Sequence, residues 1–274
     1  MPSSIHILRL LVRESLKYHV LQEDAPLPGS PRAIFMAGCA GSGKDTIVSD
    51  MRRAVPALGN FEEINPDFRY EELMRAAELA LGPPRMDPEK LEALPPHQAE
   101  EFRQKRTAWL SQAAKLQHRA LGQVTGGSKG ISPQRMGLSP EKYGIKPADE
   151  PGPQTELEVH ISNRANLIIN GTSANYKRIS DERKILEDLG YETMMVAVVV
   201  PVDTAVDRNR ERGEKGERRV PSSAAVAKQC EKLLNYLSNY EADFGNNFIE
   251  VDNTLPLGEA LLANDIRKIH AFIS

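Results

Sequence analysis

The chain has 274 residues, a formal net charge of −3 and 40% hydrophobic residues. That size accommodates one α/β domain carrying a large insertion, and the slightly acidic balance implies no global attraction to nucleic acid. No apolar run approaches the roughly 18 residues of a membrane span, and the two cysteines, Cys39 and Cys230, are too few for a disulfide framework and suit a reducing, cytoplasmic setting.

The first twenty residues place Ile5, Leu8, Leu11, Val12, Leu16 and Val20 at helical spacing, broken by Arg9, Arg13 and Lys17. They predict an amphipathic packing helix over 5–22 rather than a signal peptide. A Pro- and Gly-rich linker (25–31) leads to an apolar strand at 33–37, then to Gly38-Cys39-Ala40-Gly41-Ser42-Gly43-Lys44 and a helix from about Lys44 to Val55. Strand, glycine loop and helix in that order make a phosphate-binding loop. The glycines let successive backbone N–H groups turn inward on a phosphate chain, and the helix start adds its positive dipole end. Lys44 is expected on the β- and γ-phosphates of ATP. The next position normally carries Ser or Thr, whose hydroxyl binds Mg²⁺; here it is Asp45, with Thr46 following, so the metal contact falls to one of these two. Cys39 reads as a small residue filling the loop.

A second strand is expected at 61–65, followed directly by Asn65-Pro66-Asp67-Phe68-Arg69 and a helix over 71–81 ended by Gly82-Pro83-Pro84. The end of a parallel strand beside the loop strand is where a ligand crevice opens. Asp67 there suits acceptance of a proton from an attacking hydroxyl, and Arg69 suits an acceptor phosphate. Asp67 equally suits the N-cap of the helix that follows.

Residues 82–155 break the strand–helix rhythm and form an insertion of helix and loop, with one helix expected over 97–121. Between Glu101 and Lys146, nine lysines and arginines accompany two glutamates, a local balance of +7. That run is either a solvated face or a platform for a phosphate backbone. Trp109 fits packing better than base stacking, and the glycine-rich 125–130 segment lacks the preceding strand of a second phosphate loop.

After the insertion come a strand at 166–170, a helix at 177–189, a buried strand at 193–200, a helix at 202–212, a long helix at 223–244, a strand at 248–252 and a closing helix at 258–273. The alternation predicts an α/β fold with a parallel sheet covered by helices on both faces. Five arginines (Arg208, Arg210, Arg212, Arg218, Arg219) gather in a glycine-hinged lid over 208–221. Arg208 and Arg212 share one helix face and suit a clamp on the triphosphate, with Arg212 on the transferring group.

The INPDFR segment, the LIINGT strand followed by Lys177-Arg178, the GYET turn and RNRERG…VP together resemble the kinase domain of phage polynucleotide kinase and the zeta-toxin-type kinases, over 33–81 and 160–253. The resemblance implies a single P-loop kinase domain over 1–274 using ATP and Mg²⁺. It implies Asp67 as proton acceptor, Lys44 as loop lysine, Gly38 through Thr46 with Arg208 and Arg212 as the ATP site, and Arg218 and Arg219 as lid residues. Arg69 stands one place earlier than the family's acceptor-phosphate arginine. Asn170-Gly171-Thr172 replaces the acidic residue that polynucleotide kinases carry after the third strand. In its length and GSGKD loop the chain is similar, more narrowly, to phage kinases that phosphorylate 5-hydroxymethyl-deoxyuridine within DNA, in the host cytoplasm. DNA is then the expected substrate. A 5′-hydroxyl strand end, a nucleotide or a sugar nucleotide are the alternatives, and a motor-type ATPase is disfavoured because neither LIING nor VAVVVP ends in an acidic pair. No protein partner is inferable.

Overall fold

The computed structural model describes residues 29–77, 79, 91–146, 152–214, 221–254 and 260–274. The expected N-terminal helix and Arg218 and Arg219 of the lid lie outside the described residues. Five strands form one sheet in the order β2-β3-β1-β4-β5: β1 (Arg32–Ala37), β2 (Glu62–Ile64), β3 (Leu167–Asn170), β4 (Glu192–Val199) and β5 (Phe248–Asp252). Every pairing is parallel.

Period-two alternation sorts the strand residues onto two faces. Ala33, Phe35, Ala37, Ile169, Met195 and Ala197 join one core. Helices α4 (Glu156–Ser162), α5 (Tyr176–Asp188) and α7 (Ser223–Phe244) supply its other side through residues such as Leu157, Ile185 and Tyr240. Ile34, Met36, Ile168, Met194 and Val196 join the opposite core. There they meet α1 (Lys44–Ala54) and α8 (Ala263–Ile273) through Ile47, Met51 and Ile269. A strand buried on both faces can carry no polar residue in its middle, which explains why β1 and β4 read as unbroken apolar runs.

Helix α2 (Pro66–Ala76) begins five residues before the expected start. Asn65 caps it by accepting a hydrogen bond from Asp67 N at 3.1 Å, and Pro66 takes the first helical position, where a missing N–H costs nothing. The cap is therefore Asn65, and the Asp67 side chain is not used for it. In the insertion, α3 spans Pro96–Thr125 and packs on α2 through Tyr70, Met74, Trp109, Ala113 and Ala120. Trp109 is 5% exposed, so it is a packing residue. Single 3₁₀ turns at Gln134–Met136 and Pro140–Tyr143 follow. The connection between these elements is pinned to the core by Glu158 of α4, which is fully buried. It accepts hydrogen bonds from Ser132 N (2.7 Å), Arg135 Nε and Nη2 (both 2.7 Å) and Thr155 N (2.8 Å).

Candidate active site

The strand register sets the position of the site. Met36 of β1 lies opposite Asn170 of β3, and Ile64 of β2 opposite Ile169. The three strands therefore end at one level, and the segments leaving them, 38–43, 65–67 and 170–173, meet over the carboxyl edge of the sheet. A cleft of about 320 Å³ opens there. Its wall includes Gly41, Gly43, Lys44 and Asp45 from the loop, Asp67 from α2, and Arg212 from α6 (Val202–Glu214).

Two glycines are dictated by this geometry. Gly41 has φ +85°, and a Cβ on it would stand 2.2 Å from the carbonyl oxygen of Ala205. Gly43 has φ +87°, and a Cβ there would stand 2.2 Å from Asn253 Nδ2. Both the left-handed backbone and the close approach of neighbouring elements exclude a side chain. Asn253, just past β5, donates from Nδ2 to Ser42 O at 2.7 Å and so braces the loop from behind. Lys44 Nζ donates to Gly38 O (2.7 Å) and Cys39 O (3.3 Å). Ser42 is fully buried, and Gly38, Cys39 and Ala40 complete the turn.

The cysteines depart from the sequence expectation. Cys39 and Cys230 are joined in a disulfide, with Cα atoms 5.0 Å apart. They are 191 residues apart in sequence, and only the packing of α7 against the loop, through Val200, Ala205 and Val226, brings them together. Cys39 therefore does more than fill the loop: it ties the loop to α7.

The remaining candidates divide. Asp45 is exposed at the start of α1 and accepts a hydrogen bond from Asn170 Nδ2 at 3.0 Å; Thr46 is not part of the cleft wall. Arg212 lines the cleft, whereas Arg208 donates to the carbonyl of Asn253 at 3.0 Å, beside the loop. Arg69 is engaged by Glu72 (2.9 Å) and Gln123 (3.3 Å) and does not line the cleft. The cleft wall carries Arg178 of α5, whose Nη1 donates to Gly127 O at 2.7 Å and whose Nε lies 3.3 Å from Glu182. Glu182 is 2% exposed, and burial pushes its carboxyl up to about 7 even though the Arg178 charge pulls it back. Sequence reasoning quoted Arg178 without a role. It also missed Tyr70 of α2 and Gln117, Leu121 and Thr125 of α3, all in the cleft wall. The 117, 121 and 125 spacing of four was the available signal: it marks one face of the helix.

Among the described residues no group of three or more His, Cys, Asp or Glu side chains forms a metal site. No helix among the described residues is long and apolar enough to cross a membrane.

No protein-family model and no curated protein matches the chain. Solved structures with a similar arrangement include a chain of the PezAT chromosomal toxin–antitoxin system of Streptococcus pneumoniae. It is 12% identical with a TM-score of 0.47, over 100% of this chain and 96% of that one. A provisionally assigned kinase of Chloroflexus aurantiacus is 12% identical with a TM-score of 0.42, over 90% and 96%. A gluconokinase of Sinorhizobium meliloti is 13% identical with a TM-score of 0.34, over 89% and 93%. Likenesses this low assign no substrate.

Proposed function

We propose that the protein is an ATP-dependent phosphotransferase acting on a hydroxyl group. The observation that carries this reading is one cleft whose wall holds both the glycine loop with Lys44 and the Asp67 carboxylate. In the reaction the acceptor oxygen attacks the γ-phosphorus. The bond from that phosphorus to the β,γ-bridging oxygen breaks, and its electron pair leaves with ADP. The acceptor proton passes to the Asp67 carboxylate, which stands at the second position of α2 in the cleft wall. Lys44 and Arg212 stabilise charge on the phosphoryl group as it moves. Magnesium would supply neutralising charge to the triphosphate, and the Asp45 carboxylate, which accepts a hydrogen bond from Asn170 Nδ2, is the hard oxygen donor that suits it.

The acceptor we propose is 5-hydroxymethyluracil within DNA, giving 5-phosphomethyluracil during thymidine hypermodification in a phage-infected cell. The narrower family resemblance motivates this choice. The exposed Arg106, Lys115 and Arg119 support it, because they project from the same helix that places Gln117 and Leu121 in the cleft wall. A base within a duplex must be flipped out or already unpaired to reach such a cleft.

The test is incubation with γ-labelled ATP and four acceptors: hydroxymethyluracil-containing DNA, the free nucleotide, a sugar nucleotide, and unmodified DNA with a 5′-hydroxyl end. Label in the modified DNA alone is expected. Label only at strand ends returns the polynucleotide 5′-kinase reading, and label only on a nucleotide or sugar nucleotide returns the zeta-toxin-like one. ATP hydrolysis with no acceptor labelled refutes phosphotransfer.

A further inference from the structure

Two departures from the common phosphate-loop pattern lie in this chain, 125 residues apart. In phosphate-loop NTPases generally, magnesium is held by a loop Ser or Thr and by an acidic residue at the end of a neighbouring strand. Here the loop position holds Asp45, and β3, the strand beside β1, ends in Asn170. Taken singly, each change looks like a defect. The structure brings them into direct contact: Asn170 Nδ2 donates to Asp45 Oδ1 at 3.0 Å.

We propose that Asp45 and Asn170 are an exchanged pair. The carboxylate has moved from the strand end to the loop, and the Asn170 amide is a positioning group that aims it at the magnesium accompanying ATP. The inference rests on the phosphotransferase reading above but concerns the donor side alone.

Three observations support it. Asn170 is 5% exposed and fixed in register opposite Met36, so its amide is held at the base of the loop. Asp45 is exposed and in the cleft wall, where a metal can reach it, whereas Thr46 is not in the wall. The third is the neighbour, Glu63 of β2. Its Oε1 lies 3.5 Å from the same Asn170 nitrogen, and Arg52 pairs with its other oxygen at 3.1 Å. An aspartate at 170 would therefore face two carboxylates at hydrogen-bond distance. An amide N–H₂ is the group that can donate to both, and it is compatible with Asp45 where a carboxylate is not.

The experiment measures binding rather than turnover. A fluorescent ATP analogue is titrated with and without Mg²⁺, and Mn²⁺ binding to the protein–nucleotide complex is followed by electron paramagnetic resonance. Wild type, Asp45→Asn, Asn170→Ala, Thr46→Val and the double exchange Asp45→Thr/Asn170→Asp are compared, each first checked for a cooperative thermal transition. Asp45→Asn should abolish most of the Mg²⁺-induced gain in affinity while leaving metal-free nucleotide binding intact. Asn170→Ala should weaken metal affinity by about tenfold or more, as loss of a group orienting a ligand does. The double exchange should recover the metal dependence that Asp45→Asn loses, and Thr46→Val should lose less of that dependence than Asp45→Asn does.

An unchanged Mg²⁺ response in Asp45→Asn overturns the inference while leaving the kinase reading standing, and so does a loss confined to Thr46→Val. A double exchange that folds but shows no recovery overturns the claim of exchange. Wild-type protein that binds no nucleotide, with or without metal, overturns both readings together.

Discussion

Breaking the Cys39–Cys230 bond tests how the phosphate loop is held. The bond closes a loop of 191 residues that contains β2, the whole insertion, β3, β4 and α6. In the chain-entropy account, a cross-link spanning that length removes about 5 kcal/mol of unfolded-state freedom. Both cysteines are nearly inaccessible, at 3% and 1% exposure, so complete reduction is best secured by the Cys230→Ser variant, which leaves the loop sequence intact. The native contact does not depend on the bond alone, because Gly41 still backs against the Ala205 carbonyl and Val226 still packs beside it. The variant should therefore stay folded and still bind nucleotide, with a lower guanidinium midpoint and up to the full 5 kcal/mol lost. Chemical denaturation of wild type with and without reductant, beside Cys230→Ser and a free-thiol count, reads this directly. Equal midpoints in a wild type shown to contain no free thiol would refute the loop-closure reasoning. Loss of nucleotide binding on reduction would refute the claim that packing alone keeps the loop formed.

Further outcomes follow from the same geometry. Asp67→Asn should lose at least a hundredfold in phosphoryl transfer while keeping ATP affinity and melting temperature, since general-base help is typically worth ~10²–10⁴-fold; a stability loss with normal turnover would make Asp67 structural. Gly41→Ala should abolish nucleotide binding or folding, seen by fluorescence titration and melting, because its Cβ meets backbone at 2.2 Å. Glu158→Ala should cost about 3–5 kcal/mol in denaturant unfolding, because it leaves the half-buried Arg135 and two backbone donors without their carboxylate. For Glu182 the folded carboxyl titrates near 7, above its unfolded range, so its favourable contribution is complete below about pH 4.5 and is lost as pH rises through 7. Melting temperature should fall over that window in wild type relative to Glu182→Gln, and parallel pH profiles for the two proteins would contradict the assignment.

What the sequence disclosed follows the range of the physics involved. The β1–loop–α1 unit was legible because every requirement is local: an apolar run, left-handed glycines and a lysine at fixed offset. Helix α2 was misplaced at its start because Asn65 was assigned to the strand and Pro66 to the connection after it, although Pro at a first helical position is a start signal. Helix α4 was missed outright. Its Thr155-x-x-Glu158 capping box is a sequence signal, but it sits where the insertion was expected to end. The contacts that shape the site were not legible. Asn253 to Ser42, Asn170 to Asp45 and Cys39 to Cys230 join positions 211, 125 and 191 residues apart, and no periodicity encodes such pairings.

The insertion's place in the site follows from which side of α3 does what. Trp109, Ala113 and Ala120 face α2 and fix the helix against the element that carries Asp67. Gln117, Leu121 and Thr125 face the cleft, and Lys115, His118 and Arg119 are exposed. One helix thus reaches from the protein surface to the wall of the cleft that also holds Lys44. A change on its cleft side, such as Gln117→Ala, alters the cleft wall itself. A change on its exposed side, such as Lys115→Ala with Arg119→Ala, removes two surface charges that do not line the cleft. If the acceptor is part of a polymer, the exposed-side variant should raise KM for DNA with kcat near normal, and the difference from wild type should shrink as salt rises. The cleft-side variant should act on kcat/KM at every salt concentration. Identical salt profiles for the exposed-side variant and wild type would reduce those cations to a solvated face and move the acceptor toward a free nucleotide.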